Sequence, residues 1–123
     1  MSFEKLRVYQ AAELMQSLVE HLLERAPGVS AKDADQLRRA SASVPYNIAE
    51  AFGSEHPGQK IYHLGIARGS ADETRAILRK LAKSGALSPA ATIRPSILAR
   101  TVAKMLTSWI EALRGKPEED KAD

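Results

Sequence analysis

The chain has 123 residues, no cysteine, and 18 Lys and Arg against 15 Asp and Glu, for a net charge of +3. That length suits one domain with a real core, and the lack of cysteine excludes a disulfide framework and thiolate metal ligands. No apolar run approaches a membrane span and no secretory signal opens the chain, so a cytoplasmic protein without membrane contact is expected.

Apolar residues recur at threes and fours in four segments, and strand-like alternation is scarce. The first helix is expected from Phe3 to Arg25, with Val8, Ala12, Met15, Val19, Leu22 and Leu23 on one stripe. The run "APGV", residues 26 to 29, ends it: Pro27 cannot continue the hydrogen-bond ladder and Gly28 suits a turn. Ser30 caps the second helix and Asp33 complements its positive end. Its apolar line is Ala34, Leu37, Val44, Ile48 and Phe52, with the small Ser41 interposed.

Gly53 and "HPG", residues 56 to 58, break the chain again. The third helix is expected over Gln59–Ser84, with Leu64, Ala67, Ala71, Thr74, Leu78 and Leu81 inward and Gly85 as terminator. The fourth starts either at Ser88-Pro89 or near Pro95. Its expected stripe is Leu98, Val102, Met105, Trp109 and Leu113, with Gly115 and Pro117 as stops. Four amphipathic helices on short links predict an all-α, antiparallel up-down four-helix bundle over residues 1–115, with a proline-kinked second helix. Residues 116–123 form a charged tail, expected to be disordered. That tail holds two basic and four acidic residues, leaving +5 on the body, which is compatible with nucleic-acid contact.

Catalytic constellations are hard to assemble. His21, His56 and His63 lack a second histidine three or four residues away, so no metal is expected. "HPGQK" has one glycine and Lys60, which is a turn and a helix start rather than a phosphate loop. No serine sits on a recognisable nucleophile elbow. Neither a cofactor nor enzymatic activity is expected. The weakest of the functional readings combines Glu50, Glu73 and His63 as a site.

Three features call for a role. Arg68, Asp72, Arg75, Arg79 and Lys83 fall in one outward band of the third helix. They form either a ridge able to track phosphates or a solvated face with local pairing. Gly65 and Gly69 sit one turn apart in that helix, where each costs about 1 kcal/mol relative to alanine; close approach of another backbone, inside the bundle or between subunits, is the expected reason. In the second helix, Arg39, Ser43, Tyr46, Asn47 and Glu50 form a line of small and polar residues. Pro45 removes the amide that would bond the Ser41 carbonyl and so bends the helix, with Ser41 and Ser43 able to satisfy nearby carbonyls.

These residues also carry a family resemblance. "FEKLRVYQAA" (residues 3 to 12), "LRRASASVPYNIAEAFG" (37 to 53), "LGIARGSADE" (64 to 73) and "KMLTSWIEAL" (104 to 113) are similar to the four-helix-bundle family of the 23S rRNA intervening-sequence protein, some of whose members carry a ribosomal-protein label. The central motif is the specific one. Ala51 stands where the family usually has glycine. The resemblance implies a ring of five subunits. Some members are encoded within 23S rRNA genes. Relatives that accompany diversity-generating retroelements are basic pentamers that bind nucleic acid and a reverse transcriptase. The polar positions matched are Arg39, Asn47, Glu50, Ser70 and Glu73, and no catalytic site carries over.

Residues and resemblance together predict a non-enzymatic, ring-forming homo-oligomer, a pentamer, that binds RNA or DNA through Arg68, Arg75, Arg79 and Lys83, with Arg38 as a further contact. The alternative is an interaction scaffold that recruits a protein and touches no nucleic acid. Arg39, Asn47, Glu50, Gly65, Gly69, Ser70 and Glu73 are assigned to a polar network within the bundle or to a subunit interface.

Overall fold

The computed structural model describes residues 2–122, with side chains through residue 115. A short 3-10 turn, Phe3–Lys5, leads into α1 (Arg7–Glu24), α2 (Ala31–Gly53), α3 (Pro57–Lys83) and α4 (Pro89–Ala122). Leu6 is extended between the 3-10 turn and α1, so the first helix starts four residues later than its periodicity suggests. Each helix packs on its two chain neighbours and α4 closes back on α1, so the four sit at the corners of an antiparallel bundle. Among the described residues no helix is long and apolar enough to cross a membrane.

Local chemistry explains the ends. Ser30 Oγ accepts from the Asp33 amide at 3.1 Å, which satisfies one of the free donors at the start of α2. At its other end Lys60 Nζ donates to the Ala51 and Phe52 carbonyls at 3.0 and 3.3 Å, placing a cation on the negative helix terminus. Pro57 occupies the first turn of α3, where its missing amide costs nothing. Gly85, at φ +83°, turns the chain after α3, a conformation that favours glycine. The Pro89 start for α4 holds and the Pro95 start does not; Pro95 is buried inside the helix. Gly115 stands inside α4 and not after its end, since a lone glycine weakens a helix without breaking it. The stop expected at Pro117 and the tail over residues 116–123 lie outside the residues whose side chains are described.

The core has two parts. Val8, Ala12, Met15, Val44, Ile48, Leu64, Ala67, Val102, Leu106 and Ile110 belong to the larger. Val19, Leu23, Leu37, Leu78, Leu81 and Leu87 close the end nearer the α1–α2 and α3–α4 turns. Each fully buried leucine or isoleucine contributes about 1.5–3 kcal/mol of transfer free energy. The stripe expected for α3 is the buried stripe. That of α4 is corrected in part: Val102 is buried as expected, together with Ala99, Leu106 and Ile110, while Leu98, Met105, Trp109 and Leu113 are half-buried flanks. Both lines are apolar, and the way α4 sits against α1 and α3 selects the one with smaller side chains for the axis.

Candidate functional site

The polar line of α2 divides into two by helical angle. Ser43 and Asn47 lie on the edge facing α3; Arg39, Tyr46 and Glu50 are exposed. Asn47 Nδ2 donates to the Ser43 carbonyl and hydroxyl at 2.9 and 3.0 Å. Its Oδ1 is therefore the acceptor for His63 Nδ1–H of α3, at 3.2 Å. Ser70 of α3 donates to Ser43 Oγ at 2.9 Å. Four side chains thus make one hydrogen-bonded seam between α2 and α3. Sequence reading found Asn47, Ser43 and Ser70 but placed His63 only beside Glu50 and Glu73 in the weakest reading; its role appears only once α2 and α3 are paired.

Arg39, Glu50 and Glu73, assigned from sequence to a network within the bundle or to a subunit interface, take no part in this seam. Arg39 pairs with Asp35 one turn away at 3.1 Å, on the surface. Glu50 and Glu73 are exposed. Ser41 Oγ donates to the Arg38 carbonyl at 3.2 Å as expected, whereas Ser43 serves the seam and no carbonyl. Pro45 is buried inside an unbroken α2. Among the described residues no buried side-chain donor or acceptor is left without a partner.

Gly65 and Gly69 have open space where a Cβ would stand. Close backbone approach within the bundle is therefore not their reason. Near them on the outer α2–α3 face, Tyr46 and Tyr62 are 64% and 65% exposed.

The basic band of α3 borders a groove shared with α4. It consists of two hollows that meet at Arg75: Arg68, Arg75, Arg79 and Lys83 line them from α3, and Arg100 and Lys104 join them from α4. Asp72 is the only carboxylate among the lining residues, 3.7 Å from Arg75. Arg68 donates to Thr107 Oγ1 at 3.4 Å, which ties its guanidinium to α4. Arg79, Lys83, Arg100 and Lys104 make no ion pair among the described residues. Arg100 and Lys104 were missed by sequence reading. Their i, i+4 spacing was visible, but only the antiparallel pairing of α3 and α4 brings them opposite Arg68 and Arg75. Arg38 lies elsewhere, bridging α2 to Glu20 of α1 at 3.3 Å. Among the described residues no three His, Asp or Glu side chains could jointly hold a metal ion, the Glu50, Glu73 and His63 set included.

Fold and surface together define a small four-helix bundle with a polar seam on one side and a cationic groove on another. The family model of the 23S rRNA-intervening sequence protein matches residues 4–108, and the chain belongs to that family. It is similar in structure to a protein of unknown function from the S23 ribosomal protein family of Bacteroides thetaiotaomicron VPI-5482, whose crystal structure was determined at 1.70 Å. The TM-score is 0.73 at 22% identity, covering 84% of this chain and 97% of that one. That likeness concerns the fold. No curated protein matches the chain.

Proposed function

We propose that this protein is a non-enzymatic, ring-forming homo-oligomer, a pentamer, that binds RNA or DNA through the α3–α4 groove. One observation carries the binding reading: six cations from two helices line the two hollows that meet at Arg75 between α3 and α4, against a single carboxylate. From Arg68 to Lys83 the helix rises about 22 Å, room for several phosphates of one strand. Lysine and arginine contacts of this kind position a backbone without reading its sequence. The family resemblance and the open, glycine-bearing α2–α3 face support the ring, since subunits placed side by side would repeat the groove and strengthen its field.

The binding test is anisotropy of a labelled RNA and a labelled DNA oligonucleotide between about 50 and 200 mM salt. Affinity that falls steeply with salt, and is lost in an Arg75→Glu/Arg79→Glu variant with unchanged assembly, supports the reading. Absence of binding at low salt overturns it. Sedimentation velocity tests the ring, and a monomer at micromolar concentration contradicts it.

A second reading has its own observation. Ile93 and Ile97 are 55% and 58% exposed beside Arg79 and Lys83, a mixture that suits a protein partner better than phosphates. A partner retained after nuclease treatment, and lost on Ile93→Ser/Ile97→Ser substitution, favours a scaffold without nucleic acid.

A further inference from the structure

We propose that the cavity between α1 and the start of α4 binds a small amphipathic anion: a soluble carboxylate with an apolar chain or ring. The last turns of α1 present Leu18, His21 and Leu22, and Arg25 caps the helix; spaced i, i+3, i+4 and i+7, the four fall on one strip. Opposite them the first turn of α4 offers Ala90 and Ala91, side chains too short to fill the space beside the leucines. A cavity of about 540 Å³ remains, within the range of small-molecule sites. Leu87, 3% exposed, also lines it.

The charge pattern selects the ligand. The lining includes Arg25, Arg94 and His21, and no carboxylate. None of these three side chains makes an ion pair or a side-chain hydrogen bond among the described residues. Leucine and alanine walls favour an apolar body, and two unpaired guanidiniums beside an imidazole favour an anionic head. An inorganic anion would leave the apolar walls unused, and an uncharged apolar molecule would leave the guanidiniums unused.

The walls are also held before any ligand arrives. Pro27 and Pro95, both on the lining, have fixed φ. The turn through Gly85 seats Leu87, whose amide donates to the Leu81 carbonyl at 3.1 Å. A preformed cavity lowers the ordering cost of binding. None of the six groove cations lines it, so the inference stands apart from nucleic-acid binding.

Octanoate titrated into isotopically labelled full-length protein, followed by amide chemical shifts and calorimetry, tests the site, with octanol as the uncharged control. The expected result is saturable 1:1 binding with a Kd of roughly 1 mM or tighter, with shifts centred on Leu22, Leu87 and Ala91. Ala91→Trp fills the cavity from an exposed position and should weaken octanoate about tenfold or more with helicity unchanged. Arg25→Glu/Arg94→Glu should weaken octanoate and spare octanol. Absence of saturable binding, undiminished binding to Ala91→Trp, or octanol bound as tightly as octanoate would overturn the proposal.

Discussion

Ser70 on α3 donates its hydroxyl to that of Ser43 on α2 across 2.9 Å. Asn47 donates to the same Ser43 hydroxyl and accepts from His63. Four polar side chains from two helices therefore depend on one relative position of α2 and α3. A slide of one turn along either helix would leave several of them unpaired, and unpaired buried polar groups are costly. The seam specifies register, while the leucines and isoleucines supply most of the free energy.

Asn47→Ala should destabilise the protein by about 1–3 kcal/mol in urea unfolding, because it strands partners on both helices. In a double-mutant cycle, Asn47→Ala and His63→Ala should couple by at least roughly 0.5 kcal/mol. Glu50→Ala, on the same helix but exposed, should stay within about 0.5 kcal/mol of the parent. Equal effects of Asn47 and Glu50 would contradict the division of the α2 line.

Leu106→Ala should cost about 2–5 kcal/mol, since it opens a cavity on the bundle axis. Leu98→Ala, on the half-buried flank, should cost clearly less. The reverse order of unfolding midpoints would return the α4 stripe to the phase expected from sequence.

Lys60→Met keeps the side chain's length and removes its donors. About 0.5–1.5 kcal/mol of stability should be lost, as the Ala51 and Phe52 carbonyls lose their shared cation. Amide exchange should accelerate in the last turn of α2. Exchange unchanged there would mean the cap contributes nothing.

Gly69→Ala should raise the stability of the isolated chain by roughly 0.5–1 kcal/mol, because the space for its Cβ is open. In the proposed ring, a subunit packed on that face would meet the added methyl. Sedimentation should then show a smaller assembled fraction for the variant. Unchanged assembly would place the interface elsewhere.

The fold was legible because each helix carries its own period and its own punctuation. α3 shows this most clearly: Leu64, Ala67, Ala71, Thr74, Leu78 and Leu81 are all buried as the spacing predicts. α4 was harder, since its apolar arc is wide and Leu98, Met105, Trp109 and Leu113 outweigh the smaller line beside them. Which line faces the axis depends on α1 and α3, and no local rule encodes that. The same limit applies to the candidate sites. The arginine band of α3 can be read from one helix, whereas Arg100 and Lys104 join it only through pairing with α4. His63 likewise acquires its role from Asn47, sixteen residues away. Gly65 and Gly69 are a different case: of the two places their close neighbour could lie, inside the bundle or between subunits, the fold removes the first, since within this chain nothing stands near where a Cβ would be.

The most direct test of nucleic-acid binding uses the two cations that only the structure brings to the groove. The salt dependence of affinity for one oligonucleotide should be compared between the parent and Arg100→Ala/Lys104→Ala, with Arg38→Ala as the control off the groove. If the groove tracks phosphates, the double variant should bind more weakly and its log–log salt slope should flatten by roughly 1–2, while Arg38→Ala keeps the parent slope. A parent slope retained in the double variant, or lost equally in Arg38→Ala, would contradict the assignment of binding to the α3–α4 groove.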